Sequence, residues 1–524
     1  MEQNKKNIFI FGASASYISF IISTIVGLIS IKIGLNYFGP TTYGLWLIIY
    51  SVIGYFQIAN FGISLSSMNQ IAYTSNIIYQ RVIIKRSIII LSLSSIIIFF
   101  VIMLIPRVMP GWNFIFGKIP ISMQNEATKA LFIVLILFLA HLPTTIFSSA
   151  FSGLQEIHWT KIYGAVSSLA SLIALYITIW VNGSLITLAL FVGISRLIIE
   201  LISGIHLFIF HPKIQPWLKA NNINEPSYRT IFSNGIRFLG LQISAIIILN
   251  TDNIIISHYL GPSKVPQYAV AFKLFYVGIT MINMIGTVLW PMYARAIGKK
   301  DWAWINRTYN STITTITIFG SMLWVGGILF SEEIIKLWVG SDMYGGILLI
   351  FALGGYGYMV SFVGNNISLL NALNPTTTQL LVFSLDALFN IILSLLLIKP
   401  LGIAGVALGT FISCVIVHSW FPAFYIKYRT QGKVKLNNKT IVIHLFTVLI
   451  PFLLIAIFLN IYLQLSMVRL MISILIFIFY FYFSWKFIPV DVQNRIKVQF
   501  FNLRAKFICK VLDRKKYYEE STKN

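Results

Sequence analysis

The sequence predicts an all-α polytopic membrane protein of about fourteen transmembrane helices. They form two six-helix lobes related by a pseudo-twofold axis along the membrane normal, plus a C-terminal helix pair. Three observations carry this. Hydrophobic residues make up 57% of the 524-residue chain and charged residues 10%, with a mean hydropathy of +0.82, so lipid is the solvent for most of it. Apolar stretches of ~20 residues, enough to cross ~30 Å of hydrocarbon, follow one another along the chain. Lysine and arginine collect in alternate connections between those stretches.

The elements follow in order. Lys5 and Lys6 precede an apolar run to about Leu35. The run is too long for a signal-peptide core and has no small-residue cleavage site, so it reads as an uncleaved first helix. The N-terminal lobe, 1–211, holds helices at 8–36, 43–71, 87–108, 128–151, 162–181 and 184–211. A cytoplasmic linker, 212–229, leads to the C-terminal lobe, 230–425, with helices at 230–260, 266–293, 308–330, 346–371, 379–398 and 402–425. An extra pair, 441–463 and 467–488, lies within 426–488, and 489–524 is a basic cytoplasmic tail. In the tail, Ile496, Phe500, Leu503, Phe507 and Val511 recur at helical spacing among lysines and arginines, the pattern of an amphipathic helix lying on an anionic leaflet.

Orientation follows from charge. With the amino terminus cytoplasmic, that side receives Arg81, Lys85, Arg86, Lys213, Arg295, Lys299, Lys300, Lys427, Arg429, Lys433, Lys435 and the tail. The opposite side receives only a scatter such as Arg107, Lys264 and Lys399, so both termini are expected in the cytoplasm. The net charge of +24 is this asymmetry and not a nucleic-acid footprint; no nucleic-acid partner is expected. Cys414 in an apolar span and Cys509 in the tail are not placed to pair.

The chain repeats itself at an offset of about 220 residues. Tyr37, Gly39, Pro40 and Tyr43 answer Tyr259, Gly261, Pro262 and Tyr268, and Gly117 answers Gly340. This is the signature of two parallel six-helix repeats with a cavity between them, and Gly39-Pro40 and Gly261-Pro262 are the hinge candidates.

Charges within apolar spans need a reason. Lys32 and Asp252 sit at similar depths before the two Gly-Pro breaks, Arg237 marks the inner mouth of the seventh helix, and Lys273 enters the eighth. They are expected to face the cavity, with Lys32, Arg237 and Lys273 offering surplus positive charge to an anionic headgroup. The plainer alternative is a structural Lys32–Asp252 ion pair. Asp386 and Asp252 are candidates for a proton or cation site, Arg196 and Glu200 are expected to neutralise each other, and His141 reads as a core histidine. Tyr43, Trp46, Tyr50 and Tyr276 are candidates for stacking on sugars. No Gly-x-x-x-x-Gly-Lys-(Ser/Thr) loop, His-Glu-x-x-His pair or nucleotide-sized soluble domain is present, so no catalytic residue, metal site or cofactor is assigned.

Tyr37-Phe38-Gly39-Pro40-x-x-Tyr43-Gly44-Leu45-Trp46, Asn60-Phe61-Gly62-Ile63, Asp252-x-x-Ile255-Ile256-x-x-Tyr259-Leu260-Gly261, Tyr268-x-x-Ala271-x-Lys273, Asn390-Ile391-x-Leu393 and Pro400-Leu401-Gly402-Ile403-Ala404-Gly405 together carry a resemblance. The chain resembles the polysaccharide-transport (Wzx-type oligosaccharide) flippases of the multidrug/oligosaccharidyl-lipid/polysaccharide exporter superfamily. The resemblance implies a two-lobe alternating-access transporter, not an enzyme, in the bacterial cytoplasmic (inner) membrane. Its substrate would be undecaprenyl-pyrophosphate-linked oligosaccharide of O-antigen or capsule, with the pyrophosphate on Lys32, Arg237 and Lys273. It leaves coupling to a proton or sodium gradient open, and gives membrane lipids and other polysaccharide-assembly membrane proteins as partners. Two departures stand out. The extra helix pair is shared with lipid II flippases, and Lys264-Val265-Pro266 lengthens the second Gly-Pro loop. A lipid II flippase, a multidrug extruder of the same fold, and a membrane-bound polysaccharide-assembly enzyme or scaffold are the alternatives.

Overall fold

The computed structural model describes residues 2–74, 76–108, 113–117, 119–218, 228–373, 376–463 and 466–498. These are helical almost throughout, with no strand among the described residues. Most of the expected amphipathic tail, from 499 on, lies outside them, as does the linker over 219–227.

Thirteen helices among the described residues are long and apolar enough to cross a membrane. The first, Ser14–Asn60, has 47 residues. At 1.5 Å per residue that is about 70 Å, more than twice the ~30 Å required. It is two spans joined at a corner, because Gly39 leaves the helical region (φ 71, ψ 170) immediately ahead of Pro40. Counting that helix twice brings thirteen to the fourteen expected.

The remaining spans follow the apolar runs, with differences that have local causes. Within the expected helix 43–71 the chain makes a 3-10 turn, Gln57–Asn60, and passes through left-handed Phe61 and Gly62 before Ile63–Tyr73. Gly62 caps the restarted helix, and Asn60 Oδ1, two residues earlier, accepts from the Ser64 amide at 3.0 Å. Ile77–Val108 begins ten residues before its apolar stretch, since a helix carrying Arg81, Lys85 and Arg86 can extend beyond the hydrocarbon. Pro143 imposes a 3-10 turn between Ile121–His141 and Thr145–Gly153. The thirteenth span runs Lys439–His444, a π turn at Leu445–Leu449, then Ile450–Tyr462 with Pro451 in its first turn.

The repeat is written in the backbone. Gly39 and Gly261 (φ 88, ψ 158) share a conformation that is essentially glycine-only, each ahead of a proline. Gly117 and Gly340 both have positive φ (71 and 100), as do Asn182 and Gly402 (51 and 59). Each pair is about 220 residues apart, so the two halves turn corners at equivalent places. The longer second loop is taken up by a 3-10 turn, Pro262–Lys264, for which the first corner has no counterpart.

By packing, the chain divides into two compact units. The first comprises 1–277, 332–353 and 376–417. In it the opening helix packs on Ile157–Trp180, Ile121–His141 on Leu185–Phe210, and Tyr228–Leu260 on Thr376–Leu401. Small residues admit the close approaches: Gly204 receives the Phe147 ring and Gly240 the Leu380 side chain. The two glycine-proline corners also touch in this unit, with Gly44 lying against the Pro262 carbonyl. The second unit comprises 278–331, 354–375 and 418–524. Buried polar pairs tie its helices, among them Tyr309 hydroxyl to Asn366 Oδ1 at 2.5 Å, Tyr480 hydroxyl to Ser321 Oγ at 2.6 Å, and His444 Nε2 with Ser484 Oγ at 3.0 Å.

Candidate functional site

All the residues singled out from the sequence fall in the first unit. The helix Tyr228–Leu260 carries Asp252 into the interior, where it is 4% exposed. Its Oδ2 accepts from the Tyr268 hydroxyl and from Thr410 Oγ1 at 3.1 Å. Thr410 Oγ1 in turn accepts from Asn390 Nδ2 at 2.8 Å. Two further helices therefore bond the carboxylate directly, Val265–Gly298 through Tyr268 and Ile403–His418 through Thr410, and Thr376–Leu401 joins through Asn390 on Thr410. Asp252 Oδ1 and Asn390 Oδ1 are buried with no hydrogen-bond partner among the described residues. Asp386, 5% exposed, lies one helical turn before Asn390 and on the same face.

Beside this cluster a polar seam joins the stretch after the first corner to the seventh span. The hydroxyls of Tyr55 and Thr251 are 2.5 Å apart, and Asn253 Nδ2 donates to Ser51 Oγ at 2.9 Å. Gly54 makes room for the Asn250 amide. In a membrane interior such polar pairs bind helices together and place the groups between them.

The cations are arranged differently from the expectation of one cluster around Asp252. Lys32 is exposed and has no acidic partner among the described residues, so the Lys32–Asp252 ion pair does not form; hydroxyls bond Asp252 Oδ2 instead. Nor does Asp252 stand open in a cavity beside the lysines, since it is buried with Tyr268 and Thr410 on its Oδ2. Lys273 is half-buried against Gly27 of the first span, where a Cβ would lie 3.1 Å from its Nζ, and that Nζ stands 5.8 Å from the Tyr276 ring centroid. The side chain of Arg237 lies outside the described residues.

Among the aromatics, Tyr43 is 5% exposed with its ring on Gly34, closing the first corner, and offers no face for stacking. Trp46 and Tyr50, one turn apart, meet edge to face at 4.8 Å, with Tyr50 37% exposed. Tyr276 is 43% exposed at the end of a stack through Phe272 to Tyr268. The two repeats thus use equivalent tyrosines differently: Tyr43 packs, whereas Tyr268 bonds the buried acid. The expected Arg196–Glu200 pair is also replaced, because Glu200 Oε1 lies 3.7 Å from His141 Nε2.

Sequence reasoning found Asp252 and Asp386 but missed Thr410. A lone threonine in the apolar run 403–418 gives no signal, because its hydroxyl could equally bond its own helix backbone. Tyr268 and Asn390 were visible only as motif residues without a role.

Among relatives, the chain is 24% identical over 441 residues to a putative O-antigen transporter of Salmonella typhi, covering 80% of this chain and 96% of that one. Among solved structures, the lipid II flippase MurJ in an inward closed conformation matches with a TM-score of 0.67 at 17% identity, over 92% of this chain and 100% of that chain. An inward-facing multidrug-resistance transporter of the MATE family matches at the same TM-score, 0.67, at 14% identity, over 80% of this chain and 99% of that chain. The fold is thus common to proteins with different cargoes. A family model described as polysaccharide biosynthesis protein matches residues 10–297, more than half of the sequence, and the chain belongs to that family.

Proposed function

We propose that this protein is a flippase that moves undecaprenyl-pyrophosphate-linked oligosaccharide from the inner to the outer leaflet of the bacterial cytoplasmic membrane by alternating access. It is a multi-pass membrane protein and a transporter, not an enzyme. One observation carries the choice of cargo. Lys32 stands within an apolar span without an acidic partner among the described residues, while the buried acid that could have neutralised it is bonded by Tyr268 and Thr410. A mid-membrane cation of that kind is costly unless it receives an anion. A pyrophosphate supplies one, with the polyprenyl chain left in lipid. An extruder of cationic drugs would need the reverse, an open acid.

Lys273, held beside Gly27 of the first span, is the second pyrophosphate ligand in this reading, and Arg237 the third. Tyr50 and Tyr276 supply exposed rings for sugars, with half-buried Trp46 beside Tyr50. The glycine-proline corners at Gly39 and Gly261 provide the bending points. Directional movement needs a free-energy source that distinguishes the two states. Asp252 provides a place for one: a buried carboxylate oxygen without a partner, in a cluster that Thr410 links to Asn390 and its unpartnered Oδ1, suits a proton or a sodium ion. Both termini are cytoplasmic in this arrangement. The extra helix pair favours lipid II as a second cargo to try.

The test is leaflet reorientation of labelled undecaprenyl-pyrophosphate oligosaccharide, and of labelled lipid II, in proteoliposomes. Wild type moves the oligosaccharide and Lys32→Ala does not, with insertion verified for both. Equal movement by both removes the cationic site, and movement of lipid II alone reassigns the cargo.

A further inference from the structure

The connection between the twelfth and thirteenth spans has no part in that mechanism. There the helix Phe421–Arg429, the following turn and the helix Lys439–His444 wall a cleft of about 600 Å³ with side chains of Ile347–Ala372. Its wall is apolar, formed by Met359, Phe362, Phe424, Val442 and Leu445. Lys427 and Lys435 also line it. Neither ammonium has a partner among the described residues, and the sequence contains no Asp or Glu between 387 and 490 to neutralise them.

The backbone that carries Lys435 is held in place. The Lys435 amide donates to Asn306 Oδ1 at 3.0 Å, and its carbonyl accepts from Asn310 Nδ2 at 2.9 Å. The Asn437 amide donates to Asn310 Oδ1 at 2.6 Å, and the Val434 amide to Thr430 Oγ1 at 3.2 Å. Lys433, between Lys427 and Lys435 in sequence, lies over the Trp302 ring at 5.4 Å and takes no part in the cleft. Trp420 and Phe424, one turn apart and about 60% exposed, stand at its edge as interfacial aromatics do at headgroup level.

We propose that this cleft binds an anionic phospholipid of the surrounding leaflet, its phosphodiester between Lys427 and Lys435 and one acyl chain along the apolar wall. Paired ammoniums beside an apolar wall match an amphiphile whose charge and chain are joined. A soluble anion would leave the wall unused, and a zwitterionic lipid would bring its own cation against the lysines. The proposal does not depend on the flippase reading.

The test titrates the full-length protein in non-ionic detergent with fluorescently labelled phosphatidylglycerol. Binding is saturable and weakens about 30-fold in Lys427→Ala/Lys435→Ala. It is unchanged in Lys433→Ala/Lys439→Ala, which removes the same charge outside the cleft. Val442→Trp, which fills the wall and keeps both lysines, weakens binding independently, so the failure of either variant to fold leaves the other informative. Equal loss in the two double variants makes the attraction diffuse and overturns the proposal. So does equal binding of labelled phosphatidylcholine, displacement by inorganic phosphate at the concentration of the lipid, or stronger displacement by undecaprenyl phosphate than by unlabelled phosphatidylglycerol.

Discussion

Asp252 has one carboxylate oxygen bonded by two hydroxyls and one bonded by nothing among the described residues. A buried acceptor left unsatisfied is costly, which makes Asp252 the candidate coupling group. Asp252→Asn keeps the shape and one acceptor but removes the charge. If Asp252 is the coupling group, the response of transport to an imposed proton or sodium gradient falls by about 5- to 150-fold, the usual span of a coupling free energy. Rates in proteoliposomes with and without each gradient decide this, and a variant that responds as wild type does removes Asp252 from coupling. The residue itself was legible in the sequence, as an acid in a run of isoleucines. Its neutrality toward Lys32 was not, because that depends on hydroxyls from Tyr268 and Thr410, the second 158 residues away.

At the scale of elements, the glycine-proline corners were legible because the signal is local: only glycine takes φ 71, ψ 170 or φ 88, ψ 158 readily, and proline starts the next helix. Their contact with each other was not legible. Gly44 lies against the Pro262 carbonyl, a backbone group that cannot swing aside. Gly44→Ala is therefore expected to destabilise by about 1–3 kcal/mol, as overpacking does, and to lower the melting temperature of the solubilised protein. Gly164→Ala, with nothing within 4 Å of the added carbon, is the control. It gains up to about 1 kcal/mol of helix propensity, so the two substitutions shift melting in opposite directions. A Gly44→Ala protein that melts with wild type would show that the corners separate freely.

For the whole molecule, the succession of spans predicts the sidedness of every loop. In a background without Cys414 and Cys509, a cysteine replacing Val181 is expected to react with an impermeant maleimide from outside intact cells. One replacing Lys213 reacts only after the membrane is opened. Both positions are exposed at the ends of the fifth and sixth spans, so the reverse pattern would invert the orientation and place the basic loops outside. The sequence by itself determined the number and order of the spans, the corners between them and the internal repeat. Those follow from hydropathy over about twenty residues and from the backbone limits of glycine and proline, which act within a few residues. Tertiary structure alone decided that Tyr43 packs while Tyr268 bonds, that Glu200 meets His141 and not Arg196, and that Lys32 stands apart from Asp252. Each of those outcomes depends on which helix face meets which neighbour, and a side chain in lipid takes whatever partner that packing presents.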